Sequence, residues 1–528
     1  MTFIIDPDSA TKIAKMQQRV RWRDRLMAEK NIDQTSLVLD DGVADNPDFS
    51  FMVIGDTGSG YHRGHNPQRK IAEQMLSHRQ DCRFVLHTGD VIYLVGSNEY
   101  YPKNFIHPYR EFLVGGDRPS RIAYDQMTFN QPFLPVPGNH DYYDMPWWSG
   151  AIVQAASPFR YLVRNRLNLD IGWHGSGQGN AYAQAFLDYL KRFITDAELE
   201  HHLDQHYTAK TDAGHCLRYR PGEFTRLPNR YYTFQAGGID FFALDSNTFN
   251  APLPLPSGSD GEDARQALHR KRDELEQEER SLLEEADRLD CTQPEQEEQW
   301  NDIQAKVEQL AEIIRDIDKQ LNVDETSFSD REQLEWLEQR LINSWNTDSV
   351  RGRILYFHHP PYVTEATKWH QAQTLAIRHR LRQVLDAVAK AVGKKAGDSF
   401  HDPKGNRPIV DLVINGHAHC LEYLRTANTR HADSDTNWIV CGGSGFSLRR
   451  QRLEGSELLE NLGTQLHSVA HSQLFVGRSG QGSQKRRPYS FIRIDVKDGS
   501  PPQFTIRPYV SEWYQRQWKE YAVKPFTI

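Results

Sequence analysis

Five short apolar segments, each ending in side chains that can bind metal, constrain the fold of this 528-residue chain most strongly. They are rich in β-branched and aromatic residues and stop at Gly, Pro or Asn, which predicts strands followed by loops. Loops at strand ends can direct several short side chains to one point, so a shared site is expected. The segments are FMVIGDTG from Phe51, FVLHTGDVIY from Phe84, LPVPGNHDYY from Leu134, ILYFHHPPY from Ile354 and LVINGHAHCLEY from Leu412.

The candidate ligands in these loops are carboxylates, an amide, a phenol and imidazoles. Such a mixture suits iron, manganese or zinc better than calcium, and the lack of a cysteine ligand argues against a closed structural zinc site. Two cations held close together need a bridging anion, which Asp56 or Asp90 can supply. The candidates are Asp56, Asp90, Tyr93, Asn139, His140, Asp141, His358, His359, His417 and His419, although no spacing rule assigns His359 a role.

The ordered set D, GDxxY, GNHD, HxP and GHxH resembles the calcineurin-like metallophosphoesterase superfamily. The GDxG start with GDxxY is similar to its purple acid phosphatase branch. On that resemblance, one metal ion would be held by Asp56, Asp90, Tyr93 and His419. The other would be held by Asp90, Asn139, His358 and His417, with Asp90 as the bridge.

Much of the superfamily has D-x-H at the first segment, with the histidine as a ligand, but this chain has Gly58 at that position. Tyr93 can replace the lost donor. A phenolate is a hard, anionic ligand that favours a trivalent ion. The resemblance therefore implies Fe(III) in the first site and Fe, Zn or Mn(II) in the second.

The expected reaction is hydrolysis of a phosphate ester by hydroxide from a metal-activated water. His140 is predicted to contact the phosphoryl group and protonate the leaving oxygen, with Asp141 fixing its orientation. The resemblance favours a phosphomonoester, but a phosphodiesterase acting on a nucleotide or lipid head group would use the same metals. Mammalian-type members carry a further phosphate-contacting histidine where this chain has Thr367.

Helical periodicity between the predicted strands indicates an α/β fold. We predict a four-layer metallophosphoesterase sandwich, in which two mixed β-sheets pack face to face and helices flank them. Residues 1–48 are expected to form an N-terminal helical arm, and residues 49–528 the metallophosphoesterase domain. An insertion near the active site is expected at about residues 145–230.

A second insertion is expected at about residues 260–323, a segment dense in Glu, Gln, Arg and Asp. Apolar residues from Trp300 to Leu321 alternate spacings of three and four, which is typical of a coiled-coil seam. The prediction is a protruding antiparallel helical hairpin. The hairpin either packs only on itself or serves as an arm that binds a protein partner or a second copy of the chain. In the latter case the chain could be a scaffold with a vestigial site, although intact candidate ligands argue against that.

The formal net charge of −8 offers no basic surplus for a nucleic-acid backbone, so the expected partner is a small phosphorylated substrate. The N-terminal residues MTFIIDPDSATK do not resemble a signal peptide, and no apolar run is long enough to span a bilayer. A cytoplasmic protein without membrane insertion is therefore expected.

Overall fold

The structure, a computed structural model, describes residues 4–58, 65–145, 175–290, 293–323, 329–393, 407–462 and 465–528. Ten α-helices are found among these residues. They are α1 (Ser9–Arg19), α2 (Arg25–Glu29), α3 (Pro67–Ser77), α4 (Asn139–Tyr142), α5 (Asn180–Phe186), α6 (Asp196–His206), α7 (Ser259–Ala286), α8 (Pro294–Asn322), α9 (Arg331–Trp345) and α10 (Ala372–Ala391).

The strands of the described residues form two mixed sheets. In chain order they are β1 (Ile32–Leu39), β2 (Phe49–Ile54), β3 (Cys82–His87), β4 (Phe133–Pro135), β5 (Ala209–Thr211), β6 (Gly214–Tyr219), β7 (Tyr232–Ala236), β8 (Ile239–Ala243), β9 (Gly352–Tyr356), β10 (Leu412–Asn415), β11 (Leu421–Thr426), β12 (Asn437–Cys441), β13 (Glu457–Leu462), β14 (Gln465–Val476), β15 (Arg486–Lys497), β16 (Gln503–Tyr514), β17 (Gln517–Ala522) and β18 (Phe526–Thr527). The larger sheet has the order β13-β14-β11-β12-β10-β9-β8-β7-β1-β6-β5, and the smaller β17-β16-β15-β2-β3-β4, with β18 beside β16.

The two sheets pack face to face through a shared aromatic core. The rings of Phe51 and Phe84 in the smaller sheet lie 5.5 Å and 5.3 Å from that of Phe241 in the larger one. On its outer face the larger sheet carries α9 and α10, whose Leu337 and Leu381 belong to a second buried cluster. Helix α3 packs on the outer face of β15 and β16. The predicted four-layer sandwich is therefore confirmed.

The first 48 residues differ from the helical arm that the sequence predicted. The helical pattern breaks between α1 and α2, where Arg21 and Arg23 adopt left-handed φ values of 47° and 55°. Strand β1 then pairs in parallel with β6 and β7, in the interior of the larger sheet. Met16 and Val20 are fully buried in the main core. The predicted arm was thus wrong in this respect, because its apolar residues complete the domain.

Helices α7 and α8 lie side by side in opposite directions. Arg272 of α7 contacts Asp318 of α8 at one end, and Glu285 accepts a hydrogen bond from Gln299 at the other. Contrary to the prediction, the pair does not protrude from the domain, because α8 lies against the rest of the domain along its length.

Of the expected insertion at residues 145–230, residues 146–174 lie outside the described part, and the following residues include α5, α6, β5 and β6. No helix among the described residues is both long and apolar enough to cross a membrane.

Candidate dimetal site

The candidate ligands follow the ends of β2, β3, β4, β9 and β10. Within each sheet these strands run in parallel, so their carboxyl ends lie on the same side. Four of the candidates, Asp56, Asp90, His417 and His419, have left-handed φ values of 54°, 54°, 67° and 43°. Residues other than glycine rarely adopt this conformation, and such strain concentrates at functional sites.

The first cluster consists of Asp56, Asp90, Tyr93 and His419. The phenolic oxygen of Tyr93 lies 2.9 Å from Oδ1 of Asp56, 2.6 Å from Oδ2 of Asp90 and 3.0 Å from Nε2 of His419. Every one of these side chains is at most 4% exposed. Two carboxylates, a phenol and an imidazole therefore converge on one buried point.

The second cluster surrounds His358. Its Nδ1 is hydrogen-bonded to the carbonyl of Thr88, and its Nε2 lies 2.9 Å from Oδ1 of Asn139 and 3.2 Å from Oδ2 of Asp90. The His417 ring lies 4.9 Å from the His358 ring. Asp90 thus faces both clusters, as a bridging carboxylate must.

Two glycines allow this close assembly. A Cβ atom on Gly138 would lie 2.2 Å from the backbone nitrogen of Asp90, and one on Gly58 would lie 2.3 Å from Cα of Ile92. Position 58 therefore has no room for the histidine that much of the superfamily has there. The phenol of Tyr93 occupies the first cluster instead.

The electrostatics show how strongly burial acts on the site. Burial and the neighbouring charge of Asp90 raise the pKa of Asp56 to about 8. Burial alone would also raise the pKa of Asp90, but His358 and His140 outweigh it and lower that pKa. Burial raises the pKa of Tyr93 well above its usual value. Buried carboxylates whose pKa values are pushed apart in this way are a common mark of a functional site, and cations would compensate their charge.

His140 lies beside the first cluster, with its ring 4.1 Å from that of Tyr93. Its Nδ1 is hydrogen-bonded to the carbonyl of Leu94, which leaves Nε2 for a ligand. Burial lowers the pKa of His140 to about 4.

The predicted contact between Asp141 and His140 is replaced by a different one. Asp141 accepts hydrogen bonds from the backbone nitrogens of Gly138 at 2.9 Å, Asp90 at 3.1 Å and Val91 at 3.2 Å. Asp141 therefore ties the loop after β4 to the loop after β3. The carbonyl of Leu94, not the carboxylate of Asp141, orients His140.

Three further residues lie at the site; sequence reasoning left His359 without a role and missed Lys368 and Glu312. His359 groups with His358 and His417 in an arrangement able to hold a metal ion, although its Nδ1 lies 2.8 Å from the hydroxyl of Ser246. The Nζ of Lys368 lies 3.0 Å from Nε2 of His417. It directly follows Thr367, the position at which the superfamily pattern suggested a phosphate contact. The third residue is Glu312 of α8.

Helix α8 packs over the candidate metal site. Glu312 pairs with Lys368 and lies 3.3 Å from Nε2 of His417. Five of the residues of α8 that contact the domain recur at helical spacings on one face of the helix. They are Asp302, which pairs with Arg478 and Lys485; Ala305, whose carbonyl accepts from Arg449; Glu312; Asp316, which accepts from the backbone nitrogens of Ala372 and Gln373; and Lys319, which pairs with Asp6.

The fold and the buried clusters agree with the expectation of a metal-dependent phosphoesterase. Residues 49–249 match the family model described as calcineurin-like phosphoesterase. This part of the chain therefore belongs to that superfamily, and the domain implies metal-dependent hydrolysis of a phosphate ester.

No curated protein sequence matches the chain. One similar solved structure is that of "GAP50 the anchor in the inner membrane complex of Plasmodium". It is 12% identical, with 90% of this chain and 88% of that chain covered, and the TM-score is 0.34. A likeness at this level carries no argument about the present chain.

Proposed function

We propose that the chain hydrolyses phosphomonoesters at a centre of two metal ions. The observation that carries the proposal is the position of Asp90, whose carboxylate faces Tyr93 on one side and His358 on the other. The donors around it fit two ions, with Asp56, Asp90, Tyr93 and His419 for the first and Asp90, Asn139, His358 and His417 for the second. Tyr93 favours Fe(III) in the first position, with Fe, Zn or Mn(II) in the second.

Bound metal ions would supply a water of lowered pKa and neutralise the phosphoryl oxygens. The chain's own residues would position the ester. His140 is held at Nδ1 by the carbonyl of Leu94, so its Nε2 is the atom that meets the substrate. A phosphoryl dianion beside the ring would raise the pKa of His140, since an opposite charge favours the imidazolium. In that form Nε2 can donate a proton to the leaving oxygen.

Replacement of the bridging carboxylate tests this proposal. We expect Asp90→Asn to bind fewer than two metal ions per chain and to lose at least about a hundredfold in kcat/KM for 4-nitrophenyl phosphate, since the Asp90 carboxylate faces both clusters and would help to hold both ions. Metal analysis and steady-state kinetics are the measurements. Asp386→Asn is a suitable control, because Asp386 is partly exposed and pairs with His431 on the outer surface.

Two results would count against the proposal. Wild-type protein that binds no metal, or that hydrolyses no ester when two ions are bound, would exclude an active phosphoesterase. A higher kcat/KM for bis(4-nitrophenyl) phosphate than for 4-nitrophenyl phosphate would exclude the preference for a monoester and favour a phosphodiesterase.

A further inference from the structure

A cavity lies beside the candidate metal site, between α8 on one side and Phe446–Leu448, Arg478 and β15 on the other. Its volume is about 90 Å³, enough for several water molecules or one small anion. The segment Phe446 to Leu448 lines the cavity on the side of the metal site. The Phe446 ring stacks on Tyr93 at 3.8 Å, and the carbonyl of Ser447 is hydrogen-bonded to Nδ1 of His419. The segment Phe446 to Leu448 therefore contacts both the cavity and the metal site.

Arg478, Arg487 and Asp302 line the far wall of this cavity, and Lys485, which is not among the lining residues, also pairs with Asp302. Arg478 and Lys485 both pair with Asp302, and Arg487 stands 3.8 Å from the same carboxylate. The three cationic side chains are 17%, 5% and 12% exposed. Glu308 also lines the cavity, but burial raises its pKa to about 7, so it is only partly ionised near neutral pH. Asp302 is shared by these three largely buried cations, and the other carboxylate near Arg487, that of Glu298, is 36% exposed and lies 4.0 Å away. A further anion would therefore be stabilised here.

Hydrogen-bond donors around the same cavity lack acceptors. Four buried nitrogens of its lining residues have no hydrogen-bond partner among the described residues. They are Nε1 of Trp300, Nε2 of Gln304, Nε of Arg478 and Nη2 of Arg487. Buried donors are rarely left unpaired, and guanidinium groups bind carboxylate and phosphate oxygens in a planar, often bidentate manner. One acceptor of the lining, Oε2 of Glu308, is also unpaired among these residues. The four donors outnumber it, which favours an added group with several oxygens.

We infer that this cavity binds a second anionic group of the substrate, a phosphate or a carboxylate on the leaving group. The assignment of this anion to the substrate rests on the proposed function, whereas the anion site itself rests on the residues that line the cavity. Phe446 lies between the two sites and offers an apolar surface for the carbon chain that joins the two anionic groups. The substrate class is thus a compact phosphate ester with a second negative charge.

Binding of an inert dianion tests the site without catalysis. Isothermal titration calorimetry on the metal-loaded full chain would use 1,4-butanedisulfonate, with 1-butanesulfonate for comparison. We expect 1:1 binding of the disulfonate, weakened at least about tenfold in Arg487→Gln, because this guanidinium makes only long ion pairs within the protein. Arg425→Gln is the control, since Arg425 is 53% exposed and pairs with Asp435. No binding, or equal binding by Arg487→Gln, would overturn the inference.

Hydrolysis tests the role in substrate choice. For the wild type we expect kcat/KM to be at least about tenfold higher for 1,4-butanediol bisphosphate than for its monophosphate. This ratio should fall towards one in Arg487→Gln and in Gln304→Glu, which places a negative charge in the cavity. A ratio near one in the wild type, or one unchanged in both variants, would exclude the subsite. Absence of all hydrolysis together with disulfonate binding that depends on Arg487 would instead refute the proposed function and support the anion site.

Discussion

Tyr93 has its phenolic oxygen at the centre of the first cluster, and its replacement tests which metal binds there. We expect the iron-loaded protein to show a visible charge-transfer band, because a phenolate bound to Fe(III) absorbs in this range. Tyr93→Phe should lack the band while keeping its fold, since the ring can still stack on Phe446. The absorption spectrum is the measurement. Tyr143→Phe is a matched control, because Tyr143 lies against His140 outside the cluster.

A colourless wild type with stoichiometric iron would contradict a tyrosinate ligand. Metal analysis of the same sample must accompany the spectrum, so that a missing band is not confused with missing iron.

For individual residues, the sequence predicted which side chains would lie together, because the candidate metal ligands follow the ends of apolar strands. It could not predict contacts made across the fold. The carboxylate of Asp141 is next to His140 in the chain, yet it accepts hydrogen bonds from the backbone nitrogens of Asp90 and Val91 in another loop. Lys368 and Glu312 carry no local pattern that marks them, and only the packing of α8 places them beside His417.

Among the elements, α8 makes contacts that can be tested through Asp316. This side chain accepts hydrogen bonds from the backbone nitrogens of Ala372 and Gln373 at the start of α10, at 2.8 Å and 3.0 Å. Asp316→Ala should lower the free energy of unfolding by about 1–2 kcal/mol, because it leaves two donors at a helix start unpaired. Faster hydrogen exchange of these two amides and of α8 is expected.

Asp318→Ala on the same helix provides the comparison. Asp318 is 40% exposed, and among the described residues its carboxylate pairs with Arg272 of α7 alone. Loss of this carboxylate should therefore lower the free energy of unfolding by less than about 1 kcal/mol. Equal effects of the two variants would show that Asp316 does not hold α8 in place.

The heptad pattern predicted both helices α7 and α8 but not what lies against them. Trp300 and Ile303 cluster with Ala286 of α7, as an apolar seam should. The opposite face of α8, which a free hairpin would expose to water, carries Glu312 and Asp316 and lies against the domain. Periodicity identifies the apolar face of a helix but gives no partner for a polar face. The role of the hairpin in binding a partner or a second copy stays a prediction.

For the molecule as a whole, metal removal should be destabilising. Asp56 and Asp90 are fully buried and close together, so without cations their charges are poorly compensated. Ions that bind only the folded state stabilise it by about 2.7 kcal/mol at a concentration of a hundred times the Kd. Differential scanning calorimetry should therefore show a lower Tm in excess chelator than with metal. Asp90→Asn should respond much less to the chelator, and an equal Tm of the wild type in both conditions would contradict a metal centre in the core.

The overall architecture was predictable because the interior strands are marked by continuous apolar runs. Strands such as β9 and β10 were identified within two residues of their observed ends. The strands near the edge of the larger sheet were missed, since β14 alternates exposed and buried residues without a long apolar run. Strand β1 was missed because four polar residues follow Ile32 in IDQTSLVL and its partner strands lie far along the chain.

The pairing of β2 with β15 has a consequence for how the protein matures. Val53 in β2 lies opposite Ile492 in β15, although more than four hundred residues separate them. On the ribosome, the segment carrying Asp56 and Asp90 would emerge long before its neighbouring strand and before His417 and His419. A nascent chain therefore cannot assemble the full ligand set, and metal uptake is expected to follow synthesis of the C-terminal strands, not to guide early folding.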